Sequence, residues 1–301
     1  MAKAIVAAHG SRFGICEAPT GAPASDGEAV YRAARAACLQ LGFIDIDAHC
    51  LARAWQAQSE RLGRFDATLW PSAPVDFGMN TTAPAERAGA FAACPHQLGL
   101  YAVLPDAAWT GRCARAGVPT VQLRFKSDDE AAVAREAKAA VAAVQGTGAL
   151  LFINDHWRAA IDAGAYGVHL GQEDLDALAP EALAQIRDAG LRLGVSTHGY
   201  AEMVRADAVS PSYLAMGAVF PTTLKKMPTA PQGLARLEAY ARLTRAYSQV
   251  AIGGVDAARM PAVLATGVGS VGVVRAIVAA PDPEQACRTL GEMVDAATGR
   301  R

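Results

Sequence analysis

From residue 98 onward, short apolar runs rich in Val, Ile and Leu alternate with alanine-rich segments at helical spacing. That alternation constrains the fold more than any other feature of the chain. The strand candidates are residues 100–104, 120–123, 150–153, 167–170, 193–195, 213–216, 249–252 and 270–274. Helix candidates fall between them at 128–145, 157–163, 201–207, 234–247 and 257–266, and Gly or Pro marks the junctions at Gly117, Pro119, Gly146, Gly190 and Gly267. Strands that alternate with helices in this way build a parallel sheet with helical crossovers. An open doubly wound sheet and a closed barrel both satisfy the count. The strand ends distinguish them. Polar residues gather in or just after the apolar runs: Gln122/Arg124/Lys126, Asn154/Asp155, Gln172/Asp174, Ser196/His198, Thr222/Lys225, Gly253/Gly254 and Arg275. In a parallel barrel all of these ends converge on one face, where the loops build the active site. The expected fold class is therefore α/β, a (βα)8 TIM barrel.

Residues 1–97 read differently. Residues 26–42 and 44–62 have helical spacing of apolar positions, while Pro19, Pro23, Pro71, Pro74, Pro84 and Pro95 break the rest. We expect a mainly helical N-terminal extension over 1–97, with no function legible in its residues, and a barrel over 98–301. On that division a chain beginning around Ala93 should still fold and turn over, unless the extension covers an exposed barrel end.

Several function classes are disfavoured by composition. With 28 basic and 29 acidic side chains, the net charge of -1 gives no basic field for nucleic acid. No apolar run approaches the roughly 20 residues of a membrane span. The six cysteines lie scattered, without a CxxC pair or a zinc-like spacing, as reduced thiols do in a cytoplasmic protein. The opening MAKAIVAAHGSRFG shows no convincing cleavage region. A soluble cytoplasmic protein acting on small molecules is expected, and the oligomeric state, monomer or homo-oligomer, is not legible.

Four motifs carry chemistry. In a strand, alternate side chains share a face, so Gln122, Arg124 and Lys126 should point together into the barrel mouth. Two cations and an amide there suit a diphosphate attached to a ring; the alternative is three solvated residues at a strand end. Asp155 and Asp174 each follow adjacent strands, and two carboxylates near a diphosphate suit magnesium, which takes few protein ligands. Either aspartate alone reads equally as a helix cap. The loop from Gly217 to Lys226 combines hydroxyls with cations, and the ends of strands seven and eight occupy the place of the barrel phosphate site.

In order along the chain, QLRFK, INDH, GVHLGQEDL, LGVSTH, GAVFPTTLKK, AIGGV and GVVRAI resemble the thiamine phosphate synthase family over residues 98–280. The resemblance implies that Gln122, Arg124, Lys126 and Asn154 hold a pyrimidine diphosphate, and that Asp155 and Asp174 bind Mg2+. It gives Ser196 and Lys225 to the diphosphate. Thr222 and Thr223 would face the thiazole phosphate, whose phosphate would be bound by Gly254 and the backbone of Val274 and Arg275. Arg124, Lys126 and Lys225 are the catalytic candidates. Three positions depart from the family pattern: Leu224 stands where a second threonine is usual, Phe125 where an acidic residue is, and Arg275 where a serine is. The implied reaction condenses the pyrimidine diphosphate with the thiazole phosphate into thiamine phosphate and pyrophosphate. A thiazole tautomerase on the same barrel and a non-catalytic barrel that binds thiamine precursors remain as alternatives.

The resemblance separates two neighbouring lysines. Lys225→Ala should cost about 2–4 kcal/mol of transition-state stabilisation, the scale of one preorganised charge-stabilising donor. Lys226→Ala should be nearly silent. Steady-state kinetics with both substrates checks this, and equal rates for the two variants would remove Lys225 from the chemistry.

Overall fold

In the computed structural model, residues 1–17, 28–222 and 229–299 are described. Eight strands among them close into a barrel, β1-β2-β3-β4-β5-β6-β7-β8, with every neighbouring pair parallel and β1 paired to β8. The chain runs through β1 (Gly99–Leu104), α4 (Ala107–Arg115), β2 (Thr120–Leu123), α5 (Glu130–Val144), β3 (Leu150–Asn154), α6 (Trp157–Ala163) and β4 (Gly167–Leu170). It continues with α7 (Gln172–Ala177), α8 (Pro180–Asp188), β5 (Arg192–Thr197), α9 (Tyr200–Ala208), β6 (Tyr213–Met216) and α10 (Gly233–Leu243). It ends with β7 (Ser248–Ala251), α11 (Met260–Leu264), β8 (Ser270–Val273), α12 (Arg275–Val278) and α13 (Pro283–Thr298). The TIM-barrel expectation holds.

Local chemistry sets the helix starts. The Asp106 carboxylate accepts from the Trp109 N–H at α4, that of Asp129 accepts from Ala131 and Ala132 at α5, and that of Asp282 accepts from Gln285 at α13. Inside the barrel a small core forms around Leu98, Tyr101, Phe152, Tyr213, Ala215 and Val250. The larger core lies between strands and outer helices.

The segment before the barrel forms α1 (Ala2–Phe13), α2 (Ala29–Gln40) and α3 (Asp45–Leu62), followed by two short 3-10 turns. α1 lies outside the helical spacing of residues 26–42 and 44–62. These helices do not stand apart. They lay a further layer over α9 and α10, and Ile5, Leu41, Leu51 and Trp55 are fully buried in the same cluster as Tyr200, Met203, Leu237 and Tyr240. The Trp70 indole N–H donates to the Tyr200 hydroxyl at 2.9 Å, and Phe77 stacks on the Tyr200 ring at 5.3 Å. Below them Arg87 is buried against Asp207 at 2.7 Å and also donates to the Tyr247 hydroxyl. No helix among the described residues is long and apolar enough to cross a membrane.

One contact of this layer makes stability depend on pH. Asp47, in the first turn of α3, is buried, and burial pushes its carboxyl up to about 6. The Glu202 charge raises it further, while the Ala201 and Tyr200 N–H groups and the Arg236 guanidinium oppose the shift. The folded chain therefore holds this proton more tightly than the unfolded one, whose aspartates titrate at about 3.9. Stability linked to Asp47 is present at acid pH and is lost as pH rises through that window up to about 6. Asp47→Asn, which does not titrate, should gain stability relative to wild type between pH 4 and pH 7. Denaturant melts at both pH values check this, and a constant gap between the two proteins would contradict it.

Candidate active site

At the C-terminal end of the strands lies a cavity of about 520 Å³. Gln122, Arg124, Lys126, Asn154, Asp155, Asp174, Ser196, Thr222, Val274 and Arg275 all line it. Thr223 and Lys225 lie outside the described residues. Gly254 is not on the wall: its carbonyl accepts from the Arg259 guanidinium at 2.6 Å, and its neighbour Gly253 faces the cavity instead.

Strand alternation does not place all of the first motif. β2 stops at Leu123, so only Gln122 is positioned by the strand; Arg124 and Lys126 follow in the loop, with the Arg124 N–H donating to Leu104 at 2.7 Å. Asp155 follows β3 with φ 63, a left-handed conformation that aspartate tolerates better than most side chains. That turn sets its carboxylate 2.6 Å from the Lys126 ammonium. Asp174 is not an N-cap. It sits at the third position of α7 and reaches back to accept from the Gly171 N–H at 3.1 Å.

The two carboxyls meet. Burial raises the Asp174 carboxyl first, and the Asp155 charge and a hydrogen bond shared with Asp155 raise it further, against the Gly171 N–H and Lys126. Side-by-side carboxylates at a cavity wall are relieved either by a proton or by a cation. Their hard oxygen donors fit magnesium, which keeps several waters and needs only one or two carboxylates. No group of three or more His, Cys, Asp or Glu side chains suited to a metal occurs among the described residues, so water and substrate oxygens would complete the shell. Gln172, in the same turn as Asp174, has its amide oxygen buried without a partner among the described residues, while its Nε2 donates to the Ser196 carbonyl at 2.7 Å.

Sequence reasoning missed a buried polar relay under these residues. Gln122 Nε2 donates to the Tyr101 hydroxyl at 3.1 Å, Tyr101 and Tyr213 share a hydrogen bond of 2.7 Å, and Tyr213 meets His169 Nδ1 at 2.7 Å. His169 Nε2 then meets the Ser196 hydroxyl at 2.8 Å. Burial depresses His169 to about 4, so the imidazole is neutral at neutral pH and one ring nitrogen donates while the other accepts. A pattern that satisfies every member runs from Gln122 through both tyrosines into Nδ1, and from the Nε2 N–H onto Ser196. The Ser196 proton is then left to donate into the cavity. The only trace of this relay in the sequence is an aromatic or histidine inside three otherwise aliphatic runs, which reads as ordinary core. His198 also lines the cavity, held by Glu202, which accepts from its backbone N–H at 2.8 Å and pairs with its ring at 2.7 Å.

A sequence model of the family described as thiamine monophosphate synthase matches residues 100–277. A relative named thiamine-phosphate synthase from Neisseria meningitidis is 53% identical over 198 residues, covering 66% of this chain and 95% of its own. One of the same name from Cronobacter sakazakii is 54% identical over 203 residues, with 67% and 95% covered. Among solved structures, a thiamine phosphate pyrophosphorylase from Pyrococcus furiosus superposes with a TM-score of 0.60 at 27% identity, covering 66% of this chain and 96% of that one.

Proposed function

Given that the chain belongs to the thiamine monophosphate synthase family, we propose that it joins a pyrimidine diphosphate to a thiazole phosphate, giving thiamine phosphate and pyrophosphate. The observation that carries this reading is the meeting of Arg124, Lys126 and the Asp155/Asp174 pair on the wall of one cavity at the strand ends. The bond between the methylene carbon of the pyrimidine and the diphosphate oxygen breaks with its electron pair on the oxygen. The electron-rich ring carries the cation left behind, and the thiazole nitrogen lone pair closes the new C–N bond. No proton has to move.

The barrier is then mostly the negative charge growing on the diphosphate. Arg124 and Lys126 oppose it, joined by Lys225 from the loop after β6, and a partly enclosed site lets those charges act at low dielectric. Lys126 is more than half exposed on a long stem, so its ammonium can serve either Asp155 or a diphosphate oxygen. Ser196, oriented by neutral His169, supplies a hydrogen-bond donor. Magnesium, when held by Asp155 and Asp174, adds a hard positive charge beside the leaving group. Thr222, Thr223, Val274, Arg275 and the backbone at Gly253 take the thiazole phosphate and hold its nitrogen at attack distance. Small-molecule substrates and a cytoplasmic location fit this reading.

Mass spectrometry of the product tests it. Incubation with both substrates and magnesium should yield thiamine phosphate, and omission of either substrate should yield none. Isomerisation of a thiazole carboxylate phosphate without thiamine phosphate formation would overturn the reading in favour of a tautomerase.

A further inference from the structure

Near its end β5 carries Ser196 on the cavity wall, and the turn that follows carries His198 there and enters α9 through Gly199. A helix start leaves its first N–H groups without partners, and a capping side chain normally satisfies one of them. Gly199 has no side chain to do so. Instead the Asp47 carboxylate accepts from the Ala201 N–H at 2.9 Å, and the Tyr200 N–H acts on it as well. A Cβ built on Gly199 would lie 2.0 Å from Asp47 Oδ2, so the carboxylate of the extension fills the place of the missing cap.

The surroundings hold this carboxylate in place. Asp47 is only 4% exposed. The guanidinium of Arg236 donates to the Gly42 carbonyl at 2.7 Å and to that of Leu41, which ties the turn before α3 to α10. Arg236 and Glu202 are the charged groups that act on Asp47, and the Cys38, Cys50, Tyr200 and Tyr240 side chains also lie close enough to interact with it electrostatically. Tyr200, next to Gly199, is clamped by Trp70 and Phe77 of the extension and by Tyr240 of α10. On the cavity side, Glu202 reaches back to the His198 N–H and ring. The turn is thus gripped by Asp47 from outside and by Glu202 from within.

We propose that Asp47 is a positioning residue for the reaction: the extension caps α9 in place of Gly199 and so fixes Ser196 and His198 where the diphosphate binds. This rests on the reading of the cavity as a diphosphate site. It gives the extension a part in the chemistry of a barrel whose relatives it exceeds in length.

Three variants of the full chain test it: Asp47→Ala, Asp47→Asn and the double variant Asp47→Ala/Gly199→Ser. Gly199 is extended, with φ -177, so a serine fits there once the carboxylate is gone, and its hydroxyl can cap α9 directly. Two readouts are taken on each: amide hydrogen exchange over residues 196–202, and kcat and KM for each substrate. Asp47→Ala should speed exchange in that segment and raise KM for the pyrimidine diphosphate about fivefold, the scale of one lost cap. KM for the thiazole phosphate should hold. Asp47→Asn keeps an acceptor oxygen and should stay near wild type, and the double variant should recover most of the loss. Unchanged exchange, an unchanged KM despite faster exchange, or a double variant no better than Asp47→Ala would each overturn the proposal. If Asp47→Ala does not fold, a soluble double variant with wild-type KM supports the cap, and one with a raised KM contradicts it. A wild type that makes no thiamine phosphate would defeat the functional reading, while exchange would still decide whether Asp47 holds the turn.

Discussion

Asp155→Ala and Asp174→Ala should each lower kcat/KM by about 10³-fold, the several kcal/mol that a metal contributes to developing charge. Both carboxyls face the cavity, and burial, reinforced by the charge of Asp155, raises the Asp174 carboxyl above its ordinary range. Such a pair does not help the fold. The ionised form of Asp174 is disfavoured in the folded chain, so stability linked to Asp174 falls as pH rises past its ordinary value. Asp174→Asn, which keeps an oxygen for the Gly171 N–H but carries no charge, should therefore match or exceed wild type in Tm at neutral pH while losing activity. Opposed changes in stability and activity are expected where a strained arrangement is kept for function. Kinetics at saturating and limiting magnesium, with a thermal melt on the same sample, check the pair. Full activity of Asp174→Ala at limiting magnesium would leave Asp174 with only its helix contact.

Removing residues 1–92 should abolish soluble, folded protein, despite a complete set of strands. The cut uncovers Tyr200, Met203, Leu237 and Tyr240, all at 1% exposure or less. Each fully buried large apolar side chain contributes about 1.5–3 kcal/mol, and a domain is stable by only about 5–15 kcal/mol. The cut also removes Arg87, the buried partner of Asp207 and Tyr247, and breaking a buried ion pair from one side costs about 3–5 kcal/mol. Losses of this size consume the stability of the barrel, and the exposed aromatic face of α9 and α10 favours aggregation. Expression of a chain beginning at Ala93, followed by solubility, circular dichroism and turnover, checks this. A soluble, active barrel with wild-type Tm would show that the outer layer is dispensable.

The barrel was legible because a buried strand and an amphipathic helix differ in period, and eight such units repeat. The strands at 120–123, 167–170 and 213–216 matched β2, β4 and β6 residue for residue. Helices were harder to read. Within α4, Gly111 reads as a breaker, yet a Cβ there would meet the Ala143 Cβ at 2.8 Å, so the glycine serves close packing of α4 on α5. The short α7 and α12 have too few turns for a period to show. Polar residues at strand ends pointed to the cavity wall, since every parallel strand ends on the same face. The Tyr101–Tyr213–His169 relay was invisible, because pairing across a closed barrel depends on side chains from strands far apart in sequence. The part of the extension was hidden for the same reason. Nothing near Asp47 in sequence announces that its partner is the cap position of α9.

The most direct test of the central claim is the rate of pyrophosphate release by the full chain, with both substrates present, as magnesium is titrated from none to saturation. The account predicts that release requires the thiazole phosphate, rises with magnesium to a plateau, and matches thiamine phosphate formation mole for mole. Release that proceeds equally without the thiazole phosphate, or no release at any magnesium concentration, would contradict it.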